Sequence, residues 1–150
     1  MKVYRLCNRR HDPLDGTGAA VVGGRWNPVG SPVVYAARTF EGALLEQLVH
    51  SSIGRLPKNL KAAKISIPDD LDVPLFDATS IEDWRRQTIS QDFGRKWLAD
   101  AADVALIVPS VVAEPWGCNV LVNPAHPAFA RVTVSEVVDV NWDPRLSLAV

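Results

Sequence analysis

The chain is poor in the residues that would staple it, load it with metal or carry it into a membrane. Its 150 residues include 2 cysteines, Cys7 and Cys118. They are far apart and form no CxxC pair, so neither a disulfide framework nor a zinc site is expected, and a reducing cytoplasm is the compartment that fits. The 3 histidines, His11, His50 and His126, have no HExxH or comparable ligand spacing, which argues against a metal. No apolar run approaches the ~18 residues of a membrane span, and Met1 to Arg10 carries arginines where a signal peptide would be apolar. A soluble protein is expected. Nor is there an excess of charge of either sign: 16 basic residues face 17 acidic ones, so no broad field draws the chain to nucleic acid or anionic lipid. Direct DNA binding is not expected, and a nuclease, which needs a basic cleft, is disfavoured. A GxSxG nucleophile elbow is also missing, and pairing Ser110 with any of the three histidines into a triad has no support.

What is present suffices for one domain over residues 1–150, a length that buries roughly 70% of its unfolded surface. Val3–Cys7 reads as a first strand and Asn8–Gly24, with Pro13, Gly16 and Gly18, as a long loop. A strand over Val33–Ala37 leads into a helix capped by Thr39, whose Phe40, Leu44, Leu45, Leu48 and Val49 share a face that should pack on the sheet. Ala62–Ile67 is a further strand. Asp69–Thr79 is loop with a brief extended piece at Leu75. Ser80 and Asp83 suggest a capping box before Trp84, and Ser90 a second cap for a helix to about Ala101, with Gly94 a weak point. Strands over Val104–Val108, Val120–Val122 and Arg131–Val140 follow, the last broken near Ser135 or Glu136. Strands and helices mix without βαβ alternation, which predicts an α+β fold with a mixed, mostly antiparallel sheet and flanking helices. The tryptophans are expected mostly in the core.

The most telling segment is Gly23-Gly24-Arg25-Trp26-Asn27-Pro28-Val29-Gly30. Glycines permit positive φ and close approach to a ligand, and a guanidinium can grip a phosphate through two parallel N–H bonds. A nucleotide site is one reading; a solvated Arg25 beside a core Trp26 is the other. Glu46 falls on the helix face opposite Leu44, Leu45, Leu48 and Val49, either as a solvated carboxylate or lining a cleft with His50 one turn on. Tyr35, in the preceding strand, could present its ring to that cleft. Ser110 follows an apolar strand and Pro109, where a side chain can meet a ligand. His126, in Asn123-Pro124-Ala125-His126-Pro127, reads as part of a rigid turn.

Tyr4-Arg5, GGRWN with Gly30, Val34-Tyr35-Ala36-Ala37, Glu46 after Ala43, Gly94-x-x-Trp97, Val108-Pro109-Ser110, Asn119 and Asn123-Pro124-x-His126-Pro127 together resemble the RES-domain family. The likeness runs from Tyr4 to Asp143-x-Arg145. The arginine, glutamate and serine that name the family fall on Arg25, Glu46 and Ser110; Thr39 stands where many relatives carry serine. The resemblance implies a fold like that of ADP-ribosyltransferases. It further implies a toxin of a bacterial toxin–antitoxin pair that degrades NAD+ or transfers ADP-ribose from it, with an Xre-like helix-turn-helix antitoxin as partner.

On that footing Arg25, Glu46 and Ser110 are the candidate catalytic residues, and Arg5, Tyr35 and Asn119 the candidate substrate-binding residues. NAD+ is the substrate and no metal is involved. Nicotinamide leaves as a neutral amide, so the ribose must bear the charge, which a carboxylate can stabilise. Glu46 takes that part, with Arg25 and Arg5 clamping the pyrophosphate, Tyr35 stacking on nicotinamide, and Ser110 orienting Glu46. Water, phosphate or a protein side chain as acceptor would give a glycohydrolase, a phosphorylase or an ADP-ribosyltransferase. A non-enzymatic nucleotide-binding module is the rival class.

Overall fold

The computed structural model describes residues 1–51 and 54–147; the end of the domain expected over 1–150 lies outside the described residues. In chain order the elements are β1 (Lys2–Asn8), α1 (Thr17–Val22), β2 (Val34–Ala37), α2 (Phe40–His50), β3 (Leu60–Ser66), α3 (Gln87–Asp100), β4 (Ala105–Pro109), β5 (Cys118–Val122) and β6 (Thr133–Asp139). Short 3-10 turns occupy Val111–Ala113, Pro127–Arg131 and Pro144–Leu146. The strands form one six-stranded sheet in the order β4-β5-β2-β1-β3-β6, and every neighbouring pair is antiparallel. This is the α+β, mostly antiparallel arrangement expected.

Alternation along the strands sorts side chains to two faces. Val3, Val34, Ile65, Val120 and Val122 share one core cluster. On the opposite face, Val33, Leu106, Val108 and Leu121 meet Trp97 and Leu98 of α3, along with Trp26, Phe76 and Trp84. Also opposite, Leu6, Ala37 and Ala62 meet Ala43, with Phe40 and Leu44 of α2 packed beside them. The second cluster is rich in aromatic rings: Trp26 stacks on Trp84 at 5.9 Å between centroids and meets Phe76 edge-on at 4.8 Å. Such geometries suit the ring quadrupoles. Trp26, Trp84 and Trp97 are core as expected, whereas Trp116 is 90% exposed.

Several local expectations are corrected. The loop over Asn8–Gly24 contains α1, a single helix of six residues that needs tertiary support to persist. Ser80 and Asp83 cap no helix; Ser80–Arg86 is a run of turns in which Asp83 adopts φ 57°. Helix α3 begins earlier, at Gln87, and Ser90 lies inside it, fully buried. Thr39 does cap α2, accepting from the Gly42 amide at 3.0 Å. Only part of the expected stripe of α2 turns inward, however: Phe40 and Leu44 pack beside the buried Ala43, while Leu45 and Val49 are exposed. Periodicity alone cannot tell which flank of a short helix meets the sheet when a cleft competes for the other flank. The break in β6 is where it was expected, because Lys64 pairs with Glu136 and Ile65 with Val134, which makes Ser135 a bulge on an edge strand. The Ser135 hydroxyl bonds the Lys64 carbonyl at 3.0 Å. Leu75 makes its brief extended contact as an isolated bridge to Ile107.

Two features place the site. β1 and β2, at the middle of the sheet, share the single register pair Tyr4–Ala37, so the ladder is short there and residues of both strands line an opening. Helix α3, in turn, lies against the Gly23–Asn27 segment. A Cβ on Gly94 would sit 1.7 Å from the Trp26 carbonyl oxygen, so only glycine allows this approach. Gly94→Ala is therefore expected to destabilise the fold by about 1–3 kcal/mol or more, the range for forcing atoms into a packed interior. A urea midpoint equal to that of the wild type would show that the contact can relax freely.

Candidate active site

A cavity of about 710 Å³ opens beside the β1–β2 junction. That volume lies within the usual range of small-molecule sites. Tyr4, Arg5 and Leu6 of β1, Tyr35, Ala36 and Ala37 of β2, and Asn119 of β5 form its floor. One wall is α2, through Ala43, Glu46, Gln47 and His50; the other is Gly23–Trp26, backed by Gln87. Pro109, Val111 and Val112 close the end.

Glu46 is the centre of a small hydrogen-bond network. Its Oε1 accepts from the Ser110 hydroxyl at 2.7 Å and from the Asn119 side-chain amide at 2.6 Å. Three segments thus converge on one oxygen: the middle of α2, the residue just after β4, and the start of β5. The Ser110 amide donates to the Gly117 carbonyl at 2.9 Å, which closes the β4–β5 connection and fixes the distance between the two donors. Both donors are neutral, so Glu46 is held in place with no cation touching it. The solvated-face reading of Glu46 does not match this geometry; its side chain is half-buried and bonded from across the sheet. His50, one turn on, sets its Nδ1 2.7 Å from the Glu46 carbonyl oxygen. A carbonyl only accepts, so in the neutral ring Nδ1 carries the proton and Nε2 is free.

Across the cavity, the loop takes its shape from two residues that point back into the protein. Asn27, completely buried, donates from its amide to the Ala19 and Ser31 carbonyls at 2.8 and 2.9 Å. Its Oδ1 accepts the Tyr35 hydroxyl at 2.6 Å, and the Tyr35 oxygen in turn accepts the Trp26 amide at 3.1 Å. The glycines are required locally: Gly23 has φ 76°, and a Cβ on Gly24 would lie 2.7 Å from the Tyr35 oxygen. Arg25 is half-buried and donates from Nη1 to the Arg85 carbonyl at 2.7 Å. Arg85 is fixed by an ion pair with Glu114 at 2.8 Å and by its place 4.7 Å over the Trp84 ring. Arg5 gives one donor each to the Pro13 and Asp15 carbonyls, at 2.9 and 3.0 Å. Burial pushes its guanidinium below the ordinary arginine value, and the neighbouring Asp15 and Asp12 carboxylates oppose the shift. An arginine pKa so high leaves the charge in place.

All six candidate residues therefore gather around one space: Arg5, Arg25, Tyr35, Glu46 and Asn119 line it, and buried Ser110 touches it through Glu46. Among the described residues no group of three or more His, Cys, Asp or Glu side chains could hold a metal ion. His126 accepts from the Ala128 amide at 3.0 Å and caps a 3-10 turn, a local structural part.

The RES domain family model matches residues 2–143. The chain belongs to the RES domain family. The "Prs ADP-ribosylating toxin" of a Sphingobium species is 37% identical over 141 residues, covering 90% of this chain and 87% of that protein. The "Toxin Res" of Pseudomonas putida is 37% identical over 136 residues, covering 89% of this chain and 92% of its own. Among solved structures, the M. tuberculosis MbcT–MbcA toxin–antitoxin complex contains a chain that superposes with a TM-score of 0.74 at 22% identity, over 97% of this chain and 85% of that one. At that identity the likeness concerns the fold.

Within this RES domain, reading the sequence missed residues that the cavity needs. Asn27 is part of the quoted motif, but the motif does not announce it as the buried pin of the loop. Gln47 and Gln87 line the cavity, and Gln91 bonds the loop. Polar residues on amphipathic helices give no signal of this kind, because a solvated face has the same pattern. The Tyr35 ring lines the cavity, while its hydroxyl is bonded to Asn27 and Trp26.

Burial raises the Tyr35 phenol from its ordinary 10.0 to about 12, against the opposing effect of its bonds to Trp26 and Asn27 and the nearby charge of Arg25. In the unfolded chain the phenol ionises first, so the folded state binds the extra proton between the two values. The stability this contributes is complete below pH 10 and declines as pH rises toward about 12. Tyr35→Phe is expected to lose about 1–3 kcal/mol at neutral pH, by stranding the Asn27 oxygen and the Trp26 amide, and to show a shallower alkaline decline. Identical alkaline unfolding profiles for the two proteins would rule this out.

Proposed function

We propose that this chain is the toxin of a bacterial toxin–antitoxin pair and acts by cleaving the bond between ribose and nicotinamide in NAD+. The observation that carries the reading is the placement of Glu46, held by two neutral donors, across a cavity from Arg25. The "ADP-ribosylating toxin" and "Toxin Res" names of the relatives support it.

The chemistry follows from charge. NAD+ has a positive pyridinium and a negative diphosphate. When the C1′–N bond breaks, the electron pair goes to the ring nitrogen, nicotinamide departs neutral, and positive charge moves onto the ribose. A carboxylate near that carbon favours the transition state over the ground state, where the charge is farther away. Glu46 presents one oxygen to Ser110 and Asn119, and the other is available for the ribose. Arg25 holds the diphosphate so that the glycosidic bond faces Glu46, with Arg5 as a second cation and the Tyr35 ring as an apolar wall for the nicotinamide. An acceptor then attacks C1′ and gives up its proton. Water makes a glycohydrolase, and phosphate a phosphorylase. A second reading, transfer to a side chain of another protein, is favoured by the name of the Sphingobium relative and shares the same donor site. No helix among the described residues is long and apolar enough to cross a membrane, and the cytoplasm, where NAD+ is abundant, is the proposed place of action.

Incubating the purified chain with NAD+, with and without phosphate, and analysing the products tests this directly. Free nicotinamide should appear, together with ADP-ribose, its phosphorylated form or ADP-ribosylated lysate protein according to the acceptor. Intact NAD+ and unmodified protein in all arms would refute the proposal. Glu46→Gln should lower turnover by ~10²-fold or more while NAD+ still binds, whereas Arg25→Ala should weaken binding as well.

An enzyme that consumes NAD+ needs a check, and an antitoxin is the proposed partner, of the Xre-like helix-turn-helix type. With a formal charge of −1, this chain has no broad positive field to draw it to DNA, so DNA binding is assigned to the complex. The partner is proposed to place a segment in the cavity near Arg25 and Glu46, offering a carboxylate to the arginine. Co-purification of the two chains, followed by the NAD+ assay on complex and free toxin, should show activity in the free chain alone. A stable complex as active as the free chain would exclude blocking of the cleft.

A further inference from the structure

The loop that carries Arg25 is gripped from behind by one helix. Gln91 of α3 donates to the Gly24 carbonyl at 2.7 Å and reaches the Asn27 carbonyl at 3.4 Å. Ser90 donates to the Arg25 carbonyl at 2.8 Å, a shorter contact than those to its own helix at Gln87 and Arg86, 3.2 and 3.5 Å. The Trp26 carbonyl abuts Gly94, and Gln87 reaches Gly24 at 3.4 Å. Four successive carbonyls of the loop, Gly24 to Asn27, thus meet a single helix.

This arrangement has an electrostatic consequence. A carbonyl oxygen facing the cavity would repel an anion, and one left buried without a donor would be costly. By taking these oxygens onto α3, the protein turns the negative ends of the loop's peptides away from the space that Arg25 serves. A serine inside a helix ordinarily bonds a carbonyl one turn back; here its shortest bond crosses 65 residues of sequence. Such a bond fixes the loop's position relative to α3, and through it the reach of the Arg25 side chain.

We infer that Gln91 and Ser90 are positioning residues for the anion grip of Arg25, setting affinity for the diphosphate of the ligand without taking part in bond cleavage. The inference rests on the reading of the cavity as a nucleotide site. Gln91, half-buried and at the edge of the contact, is the better residue to change, because its loss leaves the aromatic cluster intact. Gln91→Ala should raise the KM for NAD+ about 10-fold and leave kcat within about twofold, the pattern of lost uniform binding. A residue needed only for the fold would lower the active fraction, and so kcat, with KM unchanged.

The decisive measurement is calorimetric binding of ADP, which carries the diphosphate without the scissile bond, to the wild type, Gln91→Ala and Ser90→Ala proteins, with thermal melts as a folding control. The expected result is about 10-fold weaker ADP binding by both α3 variants, equal to a loss of about 1.4 kcal/mol. ADP affinity unchanged in a folded Gln91→Ala protein would overturn the positioning role while leaving the NAD+ reading intact. If Ser90→Ala does not fold, the Gln91 result decides alone. A wild type that binds neither ADP nor NAD+ would overturn both.

Discussion

Everything at this site depends on holding one carboxylate still without neutralising it. Glu46 stands on α2, which packs inward through Phe40, Ala43 and Leu44 but leaves Leu45 and Val49 exposed, so packing alone does not fix where its side chain goes. The Ser110 and Asn119 bonds do this, and they come from either side of a single connection, Ser110–Gly117, that is closed by its own backbone bonds, with Ser110 at its start and Asn119 just beyond it on β5. A lysine or arginine in either position would hold the carboxylate more strongly, but it would also cancel the charge that a developing cation on the ligand needs. A hydroxyl and an amide supply geometry and leave the formal charge where it is. The same economy explains why Ser110 occupies this place although it is no nucleophile: it is buried, its proton is committed to Glu46, and among the described residues no histidine bonds it.

The opposite wall solves a different problem, that of presenting a cation from a loop. Loops move unless their backbone groups are bonded, and the Gly23–Asn27 segment has almost none of the bonds of regular structure. Its stability is borrowed on two sides, from Asn27 and Tyr35 beneath and from α3 behind. The aromatic cluster joins the two, since Trp26 is both part of the loop and the centre of a ring packing that includes Trp84, Phe76 and Phe93. Arg25 and Trp26 are adjacent in sequence because one anchors what the other presents.

Much of this was legible in the sequence, and the parts that were not share a cause. Period-2 runs of β-branched residues marked the strands to within two residues or so, since burial on two sheet faces imposes that pattern. Thr39 announced its helix through local cap chemistry, and the Ser135 irregularity through a break in alternation. Ser90 and the Ser80–Asp83 pair misled for the same local reason: a serine before an apolar run has the composition of a cap whether its hydroxyl meets the helix backbone or, as for Ser90, a loop 65 residues away. The inward flank of α2 was misread because Glu46, which looks like a solvated residue by hydropathy, is satisfied by donors on β4 and β5. Long-range hydrogen bonds leave no period in the sequence. The short motifs around Arg25, Glu46 and Ser110, taken together, pointed to residues that the fold gathers around one cavity.

The charge arrangement of the cavity bears on ligand class independently of the residue names. Positive charge from Arg25 and Arg5 lies along one side and the negative charge of Glu46 on another, with the Tyr35 ring and the small residues Ala36, Ala37 and Ala43 between them. A purely anionic ligand would be drawn to the arginines but repelled by Glu46, and a purely cationic one the reverse. A molecule that carries both signs, separated by the length of a ribose, meets both demands. NAD+ is such a molecule, and loss of nicotinamide leaves ADP-ribose, whose anionic part still suits the arginines but whose sugar no longer offers a cation to Glu46. On the proposed reading, the attraction that favours cleavage therefore weakens once the bond is broken, and product is held less firmly than a substrate bound from two sides.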